Sequence, residues 1–196
     1  MNHVMVDLET LSTKPNACIL TFGAMKFDPF HDARNEKEER IFNSKFSFYR
    51  RIDPASCTDL GAHIDEGTLD WWAKQDEKAK YEAFHEEDRH DIREVLSDFH
   101  RWYNNDGGTE AVWSNGSIFD IIIIEDYNNK LARGNPWKFW EIKDTRTIYG
   151  LCDAELPELK QDAHHALWDC WKQLVGVQNC YRKLYKGKLN ASTNSN

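Results

Sequence analysis

"HVMVDLET", residues 3–10, is the stretch on which the reading of this chain turns. It is rich in β-forming residues, and strand side chains alternate between faces. Val4, Val6 and Leu8 therefore line one side while Asp7 and Glu9 project to the other. Such a strand admits two readings. Either it leaves the sheet at Glu9 and both acids are solvated, or they are held side by side, where mutual repulsion keeps one protonated unless a cation compensates them.

The neighbouring segments supply the rest of a sheet. "ACILTFGAMKF" (17–27) is a second apolar run ending at the turn signal "DPF". The charged connection "HDARNEKEER" leads to "IFNSKFSFYRRI" (41–52), where Phe42, Phe46 and Phe48 fall on one face at even spacing. A three-strand antiparallel meander is expected. "EGTLDWWAKQDEKAKYEAFHEE" and "DIREVLSDFHRWY" then carry helical spacing, with Ile92, Val95, Leu96, Phe99 and Tyr103 in an i, i+3, i+4 pattern. After "NNDGG" come a strand, "EAVWSN", a helix, "IFDIIIIEDYNNKLA", a short strand, "KFWEIK", and a long helix over 162–186. Three meandering strands followed by alternating strands and helices predict an α/β sheet with helices on its faces, whose ligands sit at the carboxyl ends of the strands.

Composition bounds the function. The 196 residues, 40% hydrophobic, suffice for one sizeable core and are too few for two. One domain is expected over 1–188, with a polar, disordered tail, "LNASTNSN", at 189–196. The 33 acidic and 25 basic residues leave a formal net charge of -8. That argues against general affinity for polyanions, so any nucleic-acid site must be local or metal-assisted. The five cysteines, Cys18, Cys57, Cys152, Cys170 and Cys180, are odd in number and lack CxxC spacing, which disfavours a disulfide framework or zinc ribbon and fits a reducing cytoplasm. With no basic leader and no apolar run longer than "IIII" (121–124), neither export nor membrane contact is expected.

Two further stretches bear acids at strand-to-helix junctions. Asp120 ends "SNGSIFD"; it either favours the positive end of the helix dipole, with Ser117 in a capping-box-like arrangement, or is a ligand anchored by the apolar helix that follows. In "HHALWDC" (164–170), helix geometry puts His165 and Asp169 on one face and His164 roughly 140° from Asp169. If the helix starts near His165, His164 sits in a loop and approaches from another direction; a histidine beside alanine and tryptophan is equally a satisfied surface group. Taken jointly, Asp7, Glu9, Asp120 and Asp169 are hard oxygen donors suited to Mg²⁺ or Mn²⁺. Two such ions about 3.5 to 4 Å apart stabilise the attacking and leaving oxygens of an in-line displacement at phosphorus.

These residues resemble the DEDDh exonucleases of the ribonuclease H-like superfamily over roughly residues 3–175. "DLET" matches D-x-E-T, "SNGSIFD" the aspartate after an N-G-x-x-F-like junction, and "HHALWD" the motif H-x-A-x-x-D. The resemblance implies a ribonuclease H-like mixed β-sheet, the antiparallel meander plus parallel strands, flanked by helices. It implies Asp7, Glu9, Asp120 and Asp169 as ligands of two Mg²⁺ or Mn²⁺ ions, and His164 as the general base that deprotonates the attacking water, with His165 in the variable position. "GAHIDEGTLDWWAKQ" and "IKDTRTIYGL" are similar to the subgroup of exonuclease VIII and small phage or mycobacterial exonucleases, which implies a bacterial or phage-encoded, free-standing cytoplasmic nuclease. The expectation is hydrolysis of terminal phosphodiester bonds of DNA or RNA, 3'-to-5', on single-stranded or frayed ends, by a monomer or homo-oligomer. The alternatives are a nuclease limited to very short oligonucleotides and a catalytically idle nucleic-acid-binding module.

Other residues carry weaker signals. Trp71 and Trp72 point to different helix faces, so at most one is core; both read first as structural, and of the two Trp72 is marginally the better candidate for base stacking, worth about 1 to 3 kcal/mol on an exposed ring. By resemblance Thr10 and Leu11 touch the terminal nucleotide; otherwise they are strand-end packing. Asn115 either bonds a sugar or phosphate or satisfies its loop. Asp144 caps the next helix, and Arg146 contacts phosphate or pairs with an acid. The charge runs 32–40 and 74–94 are expected to be solvated surface.

Overall fold

The computed structural model describes residues 2–35, 41–42, 45–105, 107–158 and 164–193. Strand β1 (His3–Thr10) pairs antiparallel with β2 (Ile19–Phe27), which pairs antiparallel with β3 (Ser47–Ile52). A two-residue strand, β4 (Arg89–His90), adds to β3 in parallel. On its other edge β1 runs parallel to β5 (Ala111–Ser114), and β5 parallel to β6 (Ile142–Asp144). The order β4-β3-β2-β1-β5-β6 makes one mixed sheet of meander and parallel strands, with β1 near its centre.

Seven α-helices are described: α1 (Pro54–Thr58), α2 (Glu66–Ala73), α3 (Glu77–Phe84), α4 (Ile92–Asn104), α5 (Asp120–Lys130), α6 (Thr145–Cys152) and α7 (Ala166–Thr193). Asp53, Asp65, Asp76, Asp91 and Asp144 each cap a helix, their side chains accepting orphan backbone N–H groups. Five of the 33 acidic residues are used in this way. The Asp76 cap splits the stretch expected to be helical from Glu66 into α2 and α3.

The sheet buries both faces. On one, Val4, Val6 and Leu8 of β1 pack with Phe22, with Ile92, Val95, Leu96 and Phe99 of α4, and with Ile121, Ile123, Ile124 and Tyr127 of α5. On the other, Met5 and Met25 pack with Leu167, Cys170, Leu174 and Val177 of α7. Asp7 and Glu9 share the parity of Met5, so period-two alternation aims both acids at the side covered by α7.

Several boundaries differ from expectation. Pairing with β2 begins only at Ser47, so Phe42 does not share a strand face with Phe48; it is 46% exposed and its ring lies against His165 and Trp168. The expected strand from Lys138 opens with a 3₁₀ turn, Phe139–Glu141, before β6. Helix α7 begins at Ala166 rather than 162; residues 159–163 of its expected approach, and 36–40 of the first charge run, lie outside the described residues. The expected polar tail, 189–196, overlaps the end of α7 and then passes out of the described residues. Cys152 and Cys180 are bonded to each other, although the odd count and spacing of the cysteines disfavour a disulfide framework, because packing of α6 on α7 brings together residues 28 apart in sequence. Cys18, Cys57 and Cys170 are free and buried. Among the described residues no helix is long and apolar enough to cross a membrane.

One position governs how α7 meets the sheet. Gly23 on β2 stands between Asp7 of β1 and Tyr49 of β3. A Cβ there would lie 2.5 Å from the carbonyl carbon of Ala166 and 2.8 Å from the amide nitrogen of Leu167. Backbone lies against backbone, and neither partner has a flexible group that can give way. Gly23→Ala is therefore expected to destabilise the protein by about 1 to 3 kcal/mol through overpacking, measured by urea denaturation; an unchanged midpoint would show that α7 can withdraw at no cost.

Candidate active site

Three elements converge at the carboxyl end of β1: the strand itself, α5 and α7. The strand supplies Asp7 and Glu9, and the first turn of α7 supplies Asp169. One carboxylate oxygen from each lies within 4.8 Å of the others, a separation that one cation can bridge. Asp120 enters from the opposite layer, on the first turn of α5. This helix, unlike the five capped by aspartate, has Phe119 at its N-cap and no side-chain cap. Asp120 instead turns into the protein, 3% exposed, where its Oδ1 accepts the Leu8 backbone N–H at 3.0 Å. The capping reading of Asp120 fails for that reason: its carboxylate is bound to the strand between Asp7 and Glu9.

The electrostatics are those of a crowded, dehydrated acid cluster. Burial, reinforced by Asp120, Asp169 and Glu9, raises Asp7 well above the usual carboxylate range. Burial with Asp169 and Asp120 pushes Glu9 up to about 8. Burial lifts Asp120 to about 7 against the pull of the Leu8 N–H, Ser114 and Arg146. Asp169 is raised by burial, opposed by His164 and Lys172. Such a group of acids shares protons in the absence of a cation and loses them to one.

The tandem histidines are directed apart. His164 precedes α7 in the left-handed region at φ 66°, its ring edge-on to Trp71 at 4.8 Å and to Trp72 at 6.0 Å. It thus stands on the Glu9 side of the helix end and acts electrostatically on Asp169. The ring of His165 stacks on Tyr49 at 4.8 Å, and its Nε2 lies 3.7 Å from Glu82, which Arg51 holds at 2.7 Å. Although His165 shares a helical spacing with Asp169, its ring is committed to β3 and α3.

Beside Glu9 lies a cavity of about 440 Å³ lined by Glu9, Thr10, Thr68, Trp71, Trp72 and Phe119 among others. That volume is in the range of small-ligand sites. Thr10 Oγ1 donates to the Ser12 carbonyl at 2.8 Å. Trp72 is 2% exposed, and its indole N–H donates to the Thr10 carbonyl at 2.9 Å; Trp71 is 42% exposed. The stacking preference for Trp72 is therefore reversed: hydrogen bonding locks Trp72 beneath the wall and leaves Trp71 as the open face. Leu11 is buried and lines a different cavity, with Leu20, Pro54 and Phe84, so the structure does not bring it to the Glu9 cavity.

The junction after β5 holds the remaining candidates. Asn115 Oδ1 accepts the Thr145 hydroxyl at 2.9 Å, which satisfies the loop. Asp144 caps α6 through Thr147 and accepts the Ser117 N–H at 2.7 Å, as expected of a cap. Arg146 is exposed, with its guanidinium beside Gly116 and close enough to Asp120 to lower it. Sequence reasoning passed over Gln173, whose Nε2 donates to Asp7 Oδ1 at 2.8 Å. Its signal was the i, i+4 spacing from Asp169 on an otherwise apolar helix face.

A mixed six-stranded sheet flanked by helices, with acids at the carboxyl end of its central strand, defines the ribonuclease H-like α/β fold of exonucleases. In its fold the chain is similar to a moderately thermophilic exonuclease I from Methylocaldum szegediense, with a TM-score of 0.58 over 93% of this chain at 16% identity. It spans 41% of the length of that protein. The family described as the 3'-5' exoribonuclease Rv2179c-like domain matches residues 2–181, and the chain belongs to that family of DEDD-type exonucleases. No curated protein sequence matches it.

The raised acids predict a pH dependence. Glu9 at about 8 lies above its ordinary value of 4.5, and Asp120 at about 7 above 3.8. For such groups the folded state binds the extra proton, so the stability they contribute is full below the ordinary values and is lost as pH rises through 7 to 8. In EDTA the melting temperature should fall between pH 5 and pH 8, and Mg²⁺ or Mn²⁺ should oppose the fall. A melting temperature in EDTA that rises across this window would contradict the assignment.

Proposed function

We propose that the protein is a divalent-metal-dependent 3'-5' exonuclease with Asp7, Glu9, Asp120 and Asp169 as metal ligands and His164 as general base. The observation that carries this reading is the convergence of Asp7, Glu9 and Asp169 beside an aromatic-walled cavity. The donor set suits a hard, hydrated cation: it is all carboxylate. Cys170, buried next to it, is held protonated by burial and by the acids themselves, so it brings no thiolate. The buried Gln173 Oε1 finds no hydrogen-bond donor among the described residues, and a hydrated cation has donors to offer.

Two Mg²⁺ or Mn²⁺ ions bound there would stabilise charge on the attacking and leaving oxygens. The chain's own groups do the rest. The cavity admits the terminal nucleoside, with Trp71 as its stacking face, and Arg146 offers its guanidinium to a phosphate oxygen. His164 accepts a proton from water as the water oxygen bonds to the terminal phosphorus. The bond from phosphorus to the 3'-oxygen of the penultimate residue breaks, that oxygen takes up a proton, and a 5'-mononucleotide is released. The family's description makes RNA the first substrate to test, with DNA beside it. The D-x-E-T, N-G-x-x-F-like and H-x-A-x-x-D motifs support the DEDDh assignment, and His164 in its left-handed turn is free of the helix whose spacing favoured His165.

On end-labelled RNA and DNA with Mg²⁺ or Mn²⁺, Asp7→Ala should abolish release of mononucleotides; equal digestion by this variant and the native protein would sink the metal-site reading. His164→Ala should lower kcat by about 10²- to 10⁴-fold. His165→Ala should mainly reduce stability, since its ring packs on Tyr49, and the opposite ranking in single-turnover rates would reject His164 as base. The tryptophans separate in a similar way. Trp71→Ala should raise KM with little change in melting temperature, whereas Trp72→Ala should destabilise by about 3 to 5 kcal/mol, read by denaturation beside steady-state kinetics.

A further inference from the structure

Helix α7 brings two polar groups to the acid cluster, one turn apart. Asp169 faces Asp7 and Glu9, and Gln173 follows at i+4, 8% exposed, among the buried Cys170, Leu174 and Val177. Its backbone carbonyl accepts the Tyr149 hydroxyl at 2.7 Å, which ties this turn of α7 to α6. The side-chain amide reaches across to β1 and donates to Asp7 Oδ1 at 2.8 Å.

That single bond has a directional consequence. A carboxylate offers about four lone-pair sites on two oxygens, and rotation about its last bond decides which of them face a neighbour. A donor fixed to Oδ1 holds that rotation and leaves the second oxygen for a cation. An amide does this without charge; a lysine or arginine at the same place would compete with the cation by neutralising the acid. Groups hydrogen-bonded to metal-ligating carboxylates orient those ligands and tune affinity.

We propose that Gln173 is a positioning residue that sets the orientation of Asp7 for cation binding. The inference rests on the metal-site reading above and adds to it a residue outside the acid motifs. It makes α7 the carrier of both a ligand and the group that aims another ligand.

The test is the affinity of the full chain for Mn²⁺, read by electron paramagnetic resonance at one pH, for the native protein, Gln173→Met and Cys170→Ala. Methionine keeps the length and volume of glutamine and deletes the amide. Cys170→Ala is the packing control: its thiol lies 3.8 Å from the Met5 carbonyl across the same helix–strand interface and is not bonded to Asp7. The expected result is a loss of Mn²⁺ affinity of about 10- to 100-fold in Gln173→Met, with Cys170→Ala near native. Should Gln173→Met not fold, Gln173→Asn, whose shorter stem withdraws the amide from Asp7, takes its place with the same expected loss. Native affinity in the folded Gln173 variant would overturn the proposal, and so would an equal loss in Cys170→Ala, since affinity would then follow helix packing. No Mn²⁺ binding by the native protein would instead overturn the metal-site reading itself.

Discussion

The distance between the first turn of α7 and the sheet sets the geometry of the site, and Gly23 sets that distance. Its neighbours across the sheet are Asp7 on one side and Tyr49 on the other. With no side chain at Gly23, the backbone of Ala166 and Leu167 rests directly on β2. Asp169 is then delivered to Asp7 and Glu9, Gln173 to Asp7, and the His164 ring to Trp71. A helix seated one side chain further out would carry the same residues and present none of them at bonding distance.

This close seating gathers like charges in a poorly solvated place, which opposes folding rather than assisting it. The fold tolerates it because both faces of the sheet are covered by apolar layers from α4, α5 and α7. Residual donors are placed where they relieve the cluster: the Leu8 N–H on Asp120, the Gln173 amide on Asp7, and the nearby charges of Lys172 and Arg146. Stability is given up at the end of β1 and recovered elsewhere, and a site built in this way favours cation binding because the cation relieves repulsion already present.

The same geometry makes neighbours in sequence unlike in role. His164 and His165 are adjacent, yet one lies outside the helix against Trp71 and the other stacks on Tyr49 near Glu82. Trp71 and Trp72 are adjacent, yet one is open and the other is bonded to the Thr10 carbonyl. For the tryptophans, α2 turns successive side chains through about 100°; for the histidines, which precede α7, the left-handed backbone at His164 sends the two rings to different surroundings.

Period-two alternation in "HVMVDLET" already separated the acids from Val4, Val6 and Leu8, and the helical period of "DIREVLSDFHRWY" picked out the five residues of α4 that are buried, because both patterns depend on local backbone geometry alone. The mixed sheet followed from the order of the elements. What local pattern could not supply was anything set by contact between distant segments. The start of β3 depends on its pairing with β2, which left Phe42 outside it; the Cys152–Cys180 bond depends on α6 meeting α7; the choice between the tryptophans depends on a carbonyl 62 residues away. The sequence by itself determined that Asp7 and Glu9 share the face of β1 opposite Val4, Val6 and Leu8. Tertiary structure decided how close they come and which of their atoms are engaged, because Gly23 and Gln173 act through space on residues that no helical or strand period connects to them.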